Sequence, residues 1–411
     1  MSNSNIPNSE LCGKCKGRGY CGKPCPILAR ISNSFPKPKL HFSGSSPPEI
    51  FVGRNNYPNI NTGILSPEAH GDTLAYSLPE IWHKENFNIP QILGLRSKMI
   101  YSRFRSNIRD ARKETKLLSV MKEISLASKS VSIEVVLKKI PKQDFNIDSH
   151  IPLIGNPAPL KYARLEENPQ VETKVEYLTN DTDLKAAEGI KELYAGKIQT
   201  SHIIKILSAG LLGRKLSRKL VPTRWSIVSV DSTISKDLMK NIRYFPLVNE
   251  YQVFSDEYLG NHYEILFIPR FWSFEVLEAK TPGSIWNISG TETYLMQDYE
   301  GFYDRKDYAE SVTGGYYSPR LAVAEYLNQK RRQASVLVLR EVKPTYNAPC
   351  GVGILRETTR AAFKKPSRNF NTLKEALDDM QTRFTVPIRI FTERSQLLKE
   401  LEQKTLSAFL R

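Results

Sequence analysis

Four cysteines within fourteen positions, Cys12, Cys15, Cys21 and Cys25, constrain this chain more than any other feature. They run Cys12-Gly-Lys-Cys15, then five residues, then Cys21-Gly-Lys-Pro-Cys25. Gly13 and Gly22 have no Cβ, so the backbone can curl and turn its amides toward thiolate sulfur. Four thiolates this close satisfy a tetrahedral divalent ion without help from histidine. Lys14, Lys16, Arg18 and Lys23 offset the negative charge of such a centre. Zinc is the expected ion. A four-cysteine site has no open coordination position, so the metal folds a short module and performs no chemistry.

An iron–sulfur cluster is the alternative, because Cys25-Pro26 matches the Cys-Pro ending of bacterial cluster runs. Disulfides fit less well. Met1 to Glu10 is polar and has no apolar core, so nothing routes the chain to an oxidising compartment and a cytoplasmic location is expected. The fifth cysteine, Cys350, is remote and reads as a buried small apolar residue. The six histidines, His41, His70, His83, His150, His202 and His262, form no ligand pair.

The net charge of +16 favours polyanionic partners. No stretch approaches the eighteen apolar residues of a membrane span, and no basic amphipathic helix with aromatic anchors is evident, so nucleic acid suits the charge better than membrane. The positive charge falls in two concentrations. Leu193 to Val230 lacks carboxylates yet carries Lys197, Lys205, Arg214, Lys215, Arg218, Lys219 and Arg224, and a helix over 213–219 would align its cations on one edge. Arg96, Lys98, Arg103, Arg105, Arg109, Arg112 and Lys113 form the other, with Tyr101 and Phe104 interleaved. Phosphate contact supplies affinity without sequence reading, so neither stretch implies base recognition.

The fold class reads as mixed α+β. Residues 1–30 form the cysteine module, 31–280 a large N-terminal region, 281–395 a smaller C-terminal region and 396–411 a helix end with a tail. Residues 31–65 are rich in Ser, Pro, Asn and Gly, but Phe42, Ile50, Phe51, Val52 and Tyr57 predict packed irregular surface instead of a free tether. Asn107–Ala127 predicts helix, Val131–Leu137 strand, and Phe145–Tyr177 loop or edge structure broken by prolines. Helices follow near 182–195 and 201–212. Strands are expected at Trp225–Asp231, Tyr263–Ile268, Phe271–Leu277, Ser335–Leu339 and Phe384–Phe391, the last pushed to a sheet edge by Pro387. Ser318 and Pro319 suggest a helix start, running to about Arg331, and Thr372-Leu-Lys-Glu375 is a capping box.

The chain ends Gln403-Lys-Thr-Leu406-Ser-Ala-Phe409-Leu410-Arg411. The preceding helix carries Leu397, Leu398 and Leu401 on one face, but Leu406 and Leu410 fall roughly 140° and 180° from Leu401 and leave it. One 3₁₀ turn instead sets Leu406, Phe409 and Leu410 together, with Gln403 offering an amide to a polar pocket. This pattern resembles the sliding-clamp-binding peptide of replication and repair proteins, with Leu410 where a second aromatic is commoner.

The cysteine cluster, Gly44-Ser-Ser-Pro-Pro-x-x-Phe-Val-Gly-Arg54, Val221-Pro-Thr-Arg-Trp-Ser226, Gly314-Gly-Tyr-Tyr317 and the terminal peptide together resemble the archaeal Nre family of DNA repair proteins. The resemblance spans nearly the whole chain. It implies a zinc-finger-like module on Cys12, Cys15, Cys21 and Cys25, two family-specific regions, and a tail of Gln403, Leu406, Phe409 and Leu410 that binds the DNA sliding clamp. It implies work in DNA damage repair and no settled reaction.

Two enzymatic candidates stand beside that reading. Glu278 and Lys280 share a strand face and, with an acid such as Asp256 or Glu264, could hold magnesium for phosphodiester cleavage. Gly314-Gly315 ahead of a helix, with Arg320, Arg305 and the Tyr299–Tyr303 run, could bind a phosphate, and Arg224 and Asp231 could line the same cleft. The readings are a clamp-tethered, DNA-binding repair factor, a magnesium- or nucleotide-dependent repair enzyme, and a zinc-containing RNA-binding factor.

Overall fold

A computed structural model describes residues 39–402, except 143, 144, 147 and 289. The cysteines Cys12, Cys15, Cys21 and Cys25 and the tail residues Gln403, Leu406, Phe409 and Leu410 lie outside the described residues. The described chain divides into two compact units, one over 39–234 with 349–354 and one over 235–348 with 355–402. Each is mixed α+β.

In the N-terminal unit the strands are β1 (His41–Ser46), β2 (Ile50–Val52), β3 (Asn59–Pro67), β4 (Met99–Asn107), β5 (Val131–Leu137), β6 (Phe145–Asn146), β7 (Ile154–Gly155) and β8 (Pro157–Leu165). Six of them form one sheet in the order β1-β5-β8-β4-β3-β2, antiparallel except for β4 against β8, and β6 pairs with β7. The alternation read at 131–137 holds, since Val131, Ile133, Val135 and Leu137 are buried. Helices α1 (Pro79–Lys84), α2 (Ile89–Arg96), α3 (Lys116–Leu126), α4 (Thr173–Asn180), α5 (Ala186–Ala195) and α6 (Thr200–Ser208) accompany the sheet.

Several expectations need correction here. Most of residues 41–67 is strand, in β1, β2 and β3, not irregular surface, and Phe42, Ile50, Phe51 and Val52 are buried as anticipated. The helix expected over 107–127 starts only at Lys116, and Arg103 and Arg105 lie on β4. Pro157 and Pro159 do not break β8, which sits inside the sheet; they contribute carbonyls that accept from Lys142 N at 3.2 Å and Lys138 N at 2.7 Å. Trp225–Asp231 is not a strand but part of a twenty-residue helix, α7 (Thr223–Ile242), with Ile227, Val230, Ile234, Met239 and Ile242 buried at helical spacing.

The C-terminal unit contains β9 (Tyr251–Tyr258), β10 (Asn261–Ile268), β11 (Ser273–Lys280), β12 (Tyr294–Glu300), β13 (Ser335–Val342) and β14 (Arg368–Phe370), ordered β12-β11-β13-β10-β9-β14. Only β11 and β13 run parallel. The Thr281-Pro-Gly283 turn forms, and the strands on either side of it share this sheet. β10 and β13 are buried along their whole length, as central strands covered on both faces must be.

Leu266, Ile268, Leu277, Ala279, Leu337 and Leu339 turn one sheet face toward α10 (Leu373–Gln381), α11 (Arg389–Thr392) and α12 (Gln396–Glu402), which follow α8 (Gly314–Lys330) and α9 (Gly353–Ala362) in the chain. On the other face Phe254 and Phe267 pack against Tyr326 of α8 and Phe363. The capping box at Thr372 and Glu375 forms as read. Phe384–Phe391 is not a strand; Phe384, Val386 and Phe391 bury themselves in the same core from a loop and α11. Ser318 and Pro319 are not a helix start, since α8 begins four residues earlier and Ser318 Oγ donates to Gly314 O at 3.2 Å. Among the described residues no helix is long and apolar enough to cross a membrane.

Candidate functional site

The sheet face beneath α8 carries buried charges among its apolar side chains. Glu278 on β11 pairs with Arg340 on β13, whose guanidinium also donates to Asn261 Oδ1. On the neighbouring strand Glu300 accepts from Arg320 Nε at 2.7 Å and from Trp272 Nε1 at 3.2 Å. Arg320 donates further to Ser235 Oγ at 2.6 Å and Asp304 at 3.0 Å. Arg305 meets Asp298 at 3.2 Å, and burial raises the Asp298 pKa although Val312 N and Arg305 oppose that shift. Buried charges of this kind persist only when paired and hydrogen-bonded.

That pairing decides the enzymatic candidates. Glu278 is committed to Arg340, and Lys280 Nζ lies 2.6 Å from Met296 Sδ. Asp256 pairs with Lys365, while Glu264, on the opposite face, accepts from Arg383 at 2.7 and 2.9 Å. Among the described residues no group of three or more His, Cys, Asp and Glu side chains could hold a metal ion. Gly314 and Gly315 lie inside the first turn of α8 and are buried, and Arg320 is already saturated by carboxylates. The described residues therefore offer neither a magnesium cage nor an open phosphate cradle at these positions.

The N-terminal unit holds charge differently. Arg96 belongs in the interior, not on a cationic face: Nε donates to Leu153 O at 2.9 Å and NH1 to Tyr76 O at 3.1 Å, with Glu49 3.4 Å away. Lys205 is buried too and meets Glu49 at 2.8 Å. Arg224 clasps Asp148 through both carboxylate oxygens at 2.7 and 2.8 Å. Burial alone would raise the Asp148 pKa, but hydrogen bonding from His150 and the Arg224 charge hold that carboxyl well below its usual range. Cys350 is buried as expected, and burial pushes its thiol up to about 12.

What remains at the surface comes together. β4 alternates so that Tyr101, Arg103 and Arg105 share a face, grading from buried through half-buried to exposed. β4 then enters a 3₁₀ turn, Ile108–Arg112, which exposes Arg109 and Arg112. Over 213–219 the expected helix is replaced by a 3₁₀ turn, Lys215–Ser217, between extended residues Arg214 and Arg218. Arg218 is structural, donating to Gly213 O at 2.8 Å and Asp181 O at 2.7 Å, whereas Arg214, Lys215 and Lys219 are exposed.

The two basic stretches, about a hundred residues apart in sequence, are joined directly: Leu220 N donates to Ile108 O at 2.8 Å. Gly210 makes this approach possible. Its φ is +71°, and a Cβ there would stand 2.7 Å from both Ala111 Cβ and Lys219 O. None of Arg105, Arg109, Arg112, Arg214, Lys215 and Lys219 forms an ion pair with a described residue. Ile108 N also donates to Pro58 O at 3.0 Å, which brings in an exposed aromatic pair, Tyr57 and Trp225, with ring centroids 5.2 Å apart.

Arg340, Asp304, Glu49 and the pairing of Tyr57 with Trp225 were not singled out from the sequence, and Glu300 was noted only as part of the Tyr299–Tyr303 run. A usable signal existed for the first: Arg340-Glu341 interrupts an otherwise apolar strand, and charge in such a run demands a buried partner.

A family model described as archaeal Nre, N-terminal, matches residues 20–287, and one described as archaeal Nre, C-terminal, matches residues 300–409. The chain is 36% identical over 404 residues to a DNA repair protein NreB of Archaeoglobus fulgidus, covering 97% of this chain and all of that protein. It is 36% identical to DNA repair protein NreA of the same organism, covering 90% of this chain and 92% of the relative. A DNA repair protein NreA of Haloferax volcanii is 33% identical, with 87% of each covered. No solved structure matches.

Proposed function

The chain belongs to the archaeal Nre family, and from that premise we propose that it is a DNA repair factor held at two points. Gln403, Leu406, Phe409 and Leu410 engage the DNA sliding clamp, and the joined basic surface of the N-terminal unit lies along DNA phosphates. The observation that carries the DNA contact is the Leu220–Ile108 hydrogen bond, which gathers two separate cationic stretches into one. Arg103, Arg105, Arg109, Arg112, Arg214, Lys215 and Lys219 then present charge with no carboxylate partner among the described residues. Arg218 positions the loop, and Arg224 is spent on Asp148, so neither is a principal contact.

The clamp peptide rests on its spacing and its apolar plug. Burying Leu406 and Phe409 contributes on the order of 1.5–3 kcal/mol each, partly offset by ordering a tail. The tether is therefore exchangeable and gains from simultaneous DNA contact. Cys12, Cys15, Cys21 and Cys25 take one zinc ion that folds the N-terminal module, and elemental analysis of wild type against Cys12→Ser/Cys15→Ser reads this directly.

DNA affinity measured across a salt series tests the phosphate surface. Arg109→Glu and Lys215→Glu each lower the slope of log K against log salt by about one and weaken binding similarly for any sequence. Lys84→Glu, at an exposed position elsewhere in the unit, serves as control. Equal slopes for all three variants would remove this surface from the account.

A further inference from the structure

A pocket of about 470 Å³ opens at one end of the C-terminal sheet, within the size range of ligand sites. Pro269, Phe271, Trp272 and Phe302 form its apolar walls, and its charged lining is Arg270 together with Glu400, whose carboxylate accepts from the Tyr299 hydroxyl. Phe271 is 67% exposed, and its ring lies 6.2 Å from that of Phe302 at 84°. Tyr303, 80% exposed, continues the row against Phe302 at 5.3 Å. A contiguous row of exposed rings, unlike a single one, marks a surface that another molecule covers.

The charge around them chooses the partner. Arg243 sits over the Phe302 ring at 5.7 Å, and its Nε donates to Phe302 O at 2.9 Å, fixing that segment. Arg270, Arg331 and Arg332 are exposed around the same sheet end, near the start of β13. Gln333 ties this end together, donating to Arg243 O at 3.1 Å and accepting from Trp272 N at 3.3 Å. Exposed rings bordered by arginines suit flat π-faces joined by phosphates, which is the chemistry of unpaired bases on a single strand. A duplex offers no such face, because its bases are stacked inside.

We propose that this pocket receives an unpaired base of single-stranded DNA, stacked on Phe271 and Phe302, with flanking phosphates against Arg270 and Arg332. The inference deepens the DNA reading above and rests on it only in taking DNA as the partner. The site is separate from the N-terminal basic surface in residues and in the form of DNA it selects.

Fluorescence anisotropy with a twelve-residue oligothymidine and a duplex of equal length tests it. Phe271→Ala and Phe302→Ala each weaken single-strand binding about tenfold and change duplex affinity less than twofold, while Phe271→Trp retains binding. Because Phe271 is exposed, its replacement leaves the fold intact, which the thermal midpoint verifies. Unchanged single-strand affinity in both alanine variants would overturn the proposal. So would higher affinity of Phe271→Ala for the sliding clamp, since the pocket would then be holding the chain's own C-terminal segment. Lys215→Glu weakens the duplex whichever way this resolves, so failure here is distinguishable from failure of the basic-surface reading.

Discussion

A Cβ on Gly315 would stand 2.4 Å from Glu278 Oε1, where Glu278 is buried and bound to Arg340. Neither neighbour has room to give. Gly315→Ala should therefore destabilise the protein by about 1–3 kcal/mol, read as a lower urea midpoint at constant m-value. Glu278→Gln tests the pair itself: leaving Arg340 buried beside a neutral amide should cost about 3–5 kcal/mol. If that variant folds as well as wild type, the ionic layer under α8 is not structural. The same contacts explain why Glu278 looked catalytic in the sequence. Strand alternation correctly put it on one face with Lys280, but nothing local announced Arg340, sixty-two residues later, as its partner.

Elements were legible where a pattern was regular enough to fix its period. Val131–Leu137 keeps its buried positions at every second residue and was read correctly. Trp225–Asp231 is equally long, but its alternation breaks at Ile227-Val228, and its helical period emerges once Ile234, Met239 and Ile242 are included. Prolines misled at β8, because a proline carbonyl still accepts from neighbouring N–H groups after its own N–H is lost. At the contact between α3 and α6, His202 lies 3.0 Å from Ser125 O in a buried setting. Burial, with the Lys205 charge adding to it, lowers its pKa to about 4. The unfolded chain then binds the extra proton between about pH 6.5 and 4, so stability is full above that window and falls as pH drops through it. Urea titrations at pH 7 and pH 5 should show that loss in wild type, and His202→Gln should flatten it. A wild-type profile that is level across the window would contradict the neutral, buried imidazole.

For the molecule as a whole, the α+β class was visible in sequence, as was the family. The joined basic surface was only half visible. Each stretch stood out by charge, but their meeting depends on Leu220, Ile108 and Gly210, which carry no charge at all. Conversely, Arg96, Lys205 and Arg224 inflated the apparent patches, since all three are bound within the fold. The proposed function separates recruitment from DNA contact, so losing one point of attachment should leave the other measurable. The most direct measurement is titration of purified archaeal sliding clamp with wild type and Phe409→Ala. Removal of the phenyl plug should weaken clamp binding by at least tenfold while leaving affinity for free DNA unchanged. Equal clamp affinity for the two proteins would contradict the tether on which this account of the chain depends.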